Sequence, residues 1–432
     1  MRITTWLRIA ACTLLASVAS AESYVYLSNN TAQPVTLSTV QTGDKALQQG
    51  SHWGQYETTI PAYGTRKILW MNRDQGISSG KNFYFETTVR QGAHAVVLQQ
   101  RLQGKFIGSS IWAAARSADF SHPWYADREL HNGRTRFAGL QATLSYRAQF
   151  TGGYDDFHYV IQPDATVETN TASNEFKILS WNIWGVIGAK QICDRWNDVP
   201  THTRNFDAVV FSEAFDNGCR DQLRAALRSE FPYQTQVVDK ANVYEDGGVF
   251  IVSRWPIAGE RQMVYSQCSG TDCLSNKGVM VVEIIKQGKA YHIAGTHTQA
   301  WNGATERSVR LAQLSTLRQF VDQQRPPASD ALFYAGDLNV DRYATADDYQ
   351  QMLGLLGANQ PAIQGYGWTY DASVNSLASA GREYLDYVLV SNGHRQPSRS
   401  ENEVTVYRSI TPAVWSLRDL SDHFAVAGRF RY

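Results

Sequence analysis

The chain has 432 residues, more than one ordinary domain needs, so two domains are expected. Hydrophobic residues make up 43% and charged residues 19%, a globular mix that excludes a disordered chain. The formal net charge of +0 argues against a non-specific nucleic-acid binder, which would be basic to offset phosphate.

Arg2 and Arg8 lead into an apolar run from Ile9 to Val18, closed by Ala19-Ser20-Ala21. This is the pattern of a signal peptide over residues 1–21, cut after Ala21, and it implies a secreted protein. The run is too short to span a bilayer. Cys12 faintly suggests a lipoprotein site, but the apolar run continues past it. Export leaves Cys193, Cys219, Cys268 and Cys273, an even number that favours disulfides. Of three pairings, Cys268–Cys273 with Cys193–Cys219 is the one expected. A zinc site is the alternative, weakened by the absence of Cys-x-x-Cys spacing.

From Ser23 to Pro163 the chain reads as short β-rich runs: Tyr24 to Leu27, Lys67 to Trp70, Asn82 to Phe85 and Ala95 to Leu98. An all-β, sandwich-like domain over 22–163 is expected. Its tryptophans, Trp53, Trp70, Trp112 and Trp124, suit a sandwich core or a ligand face. The polar segment 164–173 reads as a linker.

Beyond it, strands alternate with helices. Phe176 to Asn182, Ala208 to Glu213, Gly248 to Ser253, Met280 to Ile284, Tyr291 to His297, Ala331 to Asp337, Leu385 to Val390 and Phe424 to Phe430 read as strands. Gln222 to Phe231 reads as a helix, and Thr305 to Gln324 is an amphipathic one. The pattern predicts an α/β domain over 174–432 with two packed sheets and helices outside.

Asn182, Glu213, His297, Asp337, Asn339 and Asp422-His423 all fall at or just past apolar strand ends. One such residue is usually a turn former. Several can converge on one rim, and clustered carboxylates repel unless a cation sits among them. Oxygen donors suit Mg²⁺ or Mn²⁺ better than Zn²⁺. A hard cation beside a free imidazole points to in-line attack on phosphorus.

Leu179-Ser180-Trp181-Asn182, Ser212-Glu213, Gly336-Asp337-Leu338-Asn339, Leu385-Asp386-Tyr387 and Ser421-Asp422-His423 resemble, in order, the motifs of the DNase I-like endonuclease/exonuclease/phosphatase superfamily. Within it, the chain most resembles the bacterial neutral sphingomyelinases. Gly295 to Ala300 is similar to their histidine segment, Ser275-Asn276-Lys277-Gly278 to their Lys-Gly turn, and Glu245 to Val249 to their acidic approach to a strand. The Trp-Cys-Asp-Arg segment of the inositol phosphatases is missing near Leu385-Asp386, and residues 392–417 match only loosely.

The resemblance implies a DNase I-like four-layered α/β sandwich and a Mg²⁺ cofactor, with Mn²⁺ or Co²⁺ able to substitute. It implies a monomer that docks peripherally on membranes and hydrolyses sphingomyelin to ceramide and phosphocholine, with no nucleic-acid partner. Glu213 and Asn182 would hold the central metal. Asp337, Asn339, Asp422 and His423 would complete the metal site, lining the same cleft and positioning metal, phosphate and water. His423 would be the general base, oriented by Asp386. His297 would bind the phosphoryl oxygen or protonate the leaving alkoxide, while His292 lies on the opposite strand face and reads as structural. Asn217, Glu245 and Asp246 match an edge metal site near the membrane-facing end of the cleft. Trp415, then Trp301, are the expected membrane contacts. Two other readings remain: a secreted nuclease of the same fold, and a membrane-binding toxin whose β-domain does the work.

Overall fold

The computed structural model describes residues 21–164, 172–241, 244–344 and 346–432. The expected signal peptide, apart from Ala21, and linker residues 165–171 lie outside the described residues.

Alternating burial builds the N-terminal domain. Asn82–Gln91 and His94–Gly104 place every second residue inside, as a sheet with one covered face requires. They belong to a five-stranded antiparallel sheet with Thr59–Ile60, Val35–Gly43 and Ser109–Ser117. A six-stranded sheet faces it, with Glu22–Asn29 and Asp155–Pro163 as a parallel central pair. Val25, Leu27, Leu69 and Tyr146 of one sheet share a core with Leu37, Phe83, Phe85 and Leu98 of the other. The expected all-β region is therefore a two-sheet sandwich. Trp53 lies in this core, whereas Trp112 is half-buried beneath the Arg101 guanidinium, 4.1 Å from its ring centroid.

The C-terminal domain stacks two mixed sheets. The seven-stranded sheet is centred on Ala208–Ser212, Glu175–Asn182 and Ala425–Arg431. The six-stranded sheet is centred on Gly278–Lys286, Lys289–His297, Ala331–Asp337 and Asp386–Ser391. Ile178, Val210, Ile251 and Val426 of the first pack with Val279, Ile293, Phe333 and Val388 of the second. Strands covered on both faces read as continuous apolar runs, which is why Ala331–Asp337 is buried throughout. The helix Asn217–Leu227 covers the outer face of the first sheet through Leu223 and Leu227. Ala304–Gln324 and Ala346–Leu356 cover the second, giving the expected four layers.

The first of these helices starts five residues earlier than the apolar pattern predicts. Asp216 accepts a hydrogen bond from the Cys219 amide at 2.9 Å and so caps the N-terminus. Both expected disulfides form, Cys193–Cys219 and Cys268–Cys273.

The two domains touch. Arg408 donates to Asn30 at 2.6 Å, Arg418 lies 4.5 Å over the Tyr26 ring, and Tyr63 packs on Tyr366 at 4.9 Å. Trp415 is 8% exposed, in a cluster with Val160 and Ile410 and edge-on to His158 at 5.7 Å. This corrects its reading as a membrane contact: a Trp closed in by a neighbouring domain has no face left for lipid.

Candidate active site

Register brings the first residues together. In the six-stranded sheet His297 pairs with Asp337, and Asp337 with Asp386, across three adjacent strands. Gly336 makes this close approach feasible: its φ is 144°, and a Cβ there would lie 1.8 Å from the Thr296 carbonyl oxygen. In the seven-stranded sheet Asn182 pairs with Ser212, so Glu213 leaves the sheet beside it. Glu213 has φ 54° and Asn339 φ 51°, the left-handed region that costs non-glycine residues energy. Both bend sharply at a strand end and turn their side chains to the common rim.

Glu213, His297, Asp337 and Asn339 line a cleft of about 1060 Å³, with Asp422 and His423 contributed by the segment preceding the strand Ala425–Arg431 and with Asn182 and Asp386 buried behind them. His423 Nδ1 lies 2.8 Å from Asp386 Oδ2, which leaves its Nε2 toward the cleft, 3.9 Å from Asp337 Oδ2. Thr369 Oγ1 accepts from the amides of Leu385 and Asp386 and holds that turn. The Tyr370 ring packs on His423 at 5.3 Å. His297 Nε2 is 3.8 Å from Glu213 Oε1 and 3.7 Å from Asp337 Oδ2. Lys277 donates to that same Nε2 at 3.0 Å, to the Thr298 carbonyl at 2.8 Å, and pairs with Asp272 at 2.7 Å.

Two asparagines act differently from simple ligands. Asn182 Nδ2 donates to Asp337 Oδ2 at 3.0 Å while its Oδ1 accepts from the Trp184 amide at 3.0 Å. That oxygen keeps one lone pair for a cation, but the side chain also positions Asp337. The Asn339 amide donates to Asp337 Oδ1 at 3.0 Å, and its side chain donates to the Thr298 carbonyl at 3.1 Å.

The electrostatics are those of crowded buried carboxylates. Burial pushes the Asp422 carboxyl up to about 7; His423 opposes this, and the Glu213 carboxylate adds to it. Burial likewise raises Glu213, with His423 and Asn182 as the main opposing influences. Burial alone would lower His423, but Asp386, Asp337 and Asp422 outweigh it and raise it well above its ordinary value. His297 is driven the other way, by burial and then by Lys277, and stays neutral. Glu213, His297 and Asp337 present ligand atoms within 4.8 Å of one another, as do Asp337, Asp386 and His423. Mostly oxygen donors, destabilised by their mutual charge, fit a hard divalent cation.

The expected edge set does not gather in the same way. Arg220 pairs with Asp246 Oδ2 at 2.8 Å and also donates to Asn217 Oδ1. A guanidinium therefore stands among the oxygens assigned to a second metal. Trp301 is 69% exposed on the rim of the cleft, with Ile187 and Leu274 also exposed on that rim. Sequence reasoning missed Ile187 and Leu274, because isolated apolar residues in loops carry no periodicity. It placed Lys277 in a motif without seeing that the residue touches His297. His292 pairs with Asp330 at 3.1 Å, away from the cleft.

Residues 179–423 match the endonuclease/exonuclease/phosphatase family. The sphingomyelinase C of Listeria ivanovii is 34% identical over 290 residues, covering 59% of this chain and 85% of the relative. That of Bacillus cereus is 32% identical over 304 residues, covering 62% and 91%. Among solved structures, Staphylococcus aureus beta toxin superimposes with a TM-score of 0.55 at 30% identity, over 59% of this chain and 99% of that one. A beta toxin double mutant with bound magnesium ions gives a TM-score of 0.55 at 29% identity, over 60% and 100%.

Proposed function

Because the chain belongs to the endonuclease/exonuclease/phosphatase family, and within it to the sphingomyelinase C group, we propose that it is a secreted, Mg²⁺-dependent sphingomyelin phosphodiesterase. One observation carries the reading: His423, backed by the buried Asp386, lines with Glu213, Asp337 and His297 a cleft whose rim exposes Trp301, Ile187 and Leu274.

Sphingomyelin presents a phosphodiester anion at a bilayer surface. An acidic floor would repel it unless a cation intervenes. Glu213, Asp337 and Asp422, with Asn182 and Asn339 beside them, are the residues that would hold that cation. When bound it would supply Lewis-acid polarisation of the phosphoryl oxygen and neutralise developing charge.

The remaining steps belong to the chain's own side chains. His423, which Asp337 and Asp422 would hold protonated until a cation offsets their charge, then accepts a proton from water at Nε2 as the water oxygen attacks phosphorus. The P–O bond to the ceramide oxygen breaks in line, that oxygen takes up a proton as it leaves, and phosphocholine and ceramide are released. Asp386 accepts the Nδ1–H hydrogen bond, fixes the tautomer and stabilises the imidazolium that forms. His297 Nε2, hydrogen-bonded to the Lys277 ammonium and facing the same space, would use the proton it shares with Lys277 to contact the phosphoryl oxygen or to protonate the leaving ceramide oxygen. Trp301 and its apolar neighbours suit the bilayer interface, where one end of the ring is apolar and the other wet. A peripheral monomer without nucleic-acid affinity fits the neutral chain.

The test is phosphocholine release from sphingomyelin liposomes with Mg²⁺ and with chelator. Release with Mg²⁺ that chelation stops is the expected result. No release under either condition would overturn the reading, and metal-dependent plasmid nicking instead would make the chain a nuclease.

A further inference from the structure

We propose that Arg220 replaces the divalent cation at the edge of the cleft, so that this site is held by a charge built into the chain. Asn217, Glu245 and Asp246 are three oxygen donors where the sequence resemblance places a second metal. In this chain their geometry is already closed by a guanidinium. Arg220 Nη1 lies 2.8 Å from Asp246 Oδ2 and donates to the Ala214 carbonyl, and Nη2 donates to Asn217 Oδ1. The other Asp246 oxygen accepts from the Gly248 amide at 2.8 Å. Asn217 and Asp246 are thus committed, and Glu245 alone is left to face the cleft.

With Glu245 alone, a hard cation would have to draw nearly all of its oxygens from water. A divalent ion at this point would also meet a fixed positive charge. Arg220 cannot withdraw easily: it is 7% exposed and sits on the first turn of the helix Asn217–Leu227, which the Asp216 cap and the Cys193–Cys219 disulfide hold in place. A planar guanidinium that stays charged under all working conditions suits a buried ion pair of this kind. It also lies behind the turn that carries Glu213, because the carbonyl it binds belongs to Ala214, the next residue. The tethered cation therefore does at the edge what a bound ion would do, supporting the acidic segment and the Glu213 turn, and neither dilution nor chelation removes it.

The test is the number of Mn²⁺ ions bound per full-length chain, measured by equilibrium dialysis, which reads metal and not lipid turnover. Asp246→Asn is expected to leave the number unchanged. Arg220→Ser, which frees Asn217 and Asp246, is expected to add an ion that the double variant Arg220→Ser/Asp246→Asn loses again. Loss of an ion in Asp246→Asn alone would overturn the proposal, as would a folded Arg220→Ser that binds no more than the parent. If Arg220→Ser does not fold, the Asp246→Asn comparison decides.

Discussion

His423 Nδ1 and Asp386 Oδ2 stand 2.8 Å apart although they come from different sheets of the C-terminal domain. Asp386 opens the strand Asp386–Ser391 of one sheet, and His423 precedes Ala425–Arg431 of the other. The hydrogen bond closes the two layers at the rim where the cleft opens. The orientation of His423 and the packing of the two sheets therefore share one contact.

Asp386→Asn preserves the shape of that contact but not its charge. The imidazolium that forms at His423 would lose its stabilising partner, and the ring could settle in the wrong tautomer. Turnover of sphingomyelin in mixed micelles should fall by about 10²–10⁴-fold with little change in KM. A change confined to KM would instead make Asp386 a substrate-binding residue.

Glu213→Gln removes the carboxylate at the centre of the metal-capable set. Mg²⁺ is expected to raise the melting temperature of the parent protein and not of the variant, because ligand stabilisation follows site occupancy. Differential scanning calorimetry with and without Mg²⁺ checks this. In the metal-free protein the same substitution should be neutral or stabilising, since burial already disfavours the charged Glu213.

The two tryptophans should separate cleanly. Trp301→Ala is expected to weaken adsorption to sphingomyelin vesicles by roughly 10-fold while leaving stability within about 0.5 kcal/mol, as for other exposed positions. Trp415→Ala should instead cost about 3 kcal/mol in urea unfolding, the scale for emptying a buried aromatic site. Vesicle sedimentation and equilibrium unfolding on both variants distinguish these outcomes.

His158 makes the domain contact sensitive to acid. Burial, then Arg418 and Arg408, hold it well below its ordinary value, so it is neutral when folded. A histidine whose folded value is depressed stabilises the protein above the unfolded value near 6.5, and that stability is lost as pH falls below it. His158→Gln should therefore reduce the slope of unfolding free energy against pH, as pH falls below about 6.5, by up to roughly one proton. His202, lowered to about 4 by burial, remains and preserves part of the slope.

The disulfide between Cys193 and Cys219 closes a loop of 26 residues in sequence separation. Loop-closure entropy places its contribution at about 3–4 kcal/mol. The double variant Cys193→Ala/Cys219→Ala should lose a comparable amount in urea unfolding, whereas the five-residue Cys268–Cys273 loop should matter less.

The sequence by itself determined the central strands and most of the polar residues gathered at the cleft. Apolar runs such as Ala331 to Asp337 can be buried on both faces only as central strands, and a polar residue at the end of such a run must emerge at the sheet's rim. Glu213, His297, Asp337 and His423 were legible for that reason. The even cysteine count and the short Cys268–Cys273 spacing made the disulfides legible too. What the tertiary structure decided was which charges and surfaces meet across long separations. Arg220 among Asn217 and Asp246, Lys277 against His297, and Trp415 beneath Val160 and His158 are contacts between residues whose local patterns are silent about partners. Local propensity and periodicity act over a few residues, whereas these pairings depend on how two sheets and two domains close, and that geometry alone turned an expected edge metal site into an ion pair and an expected lipid anchor into a domain contact.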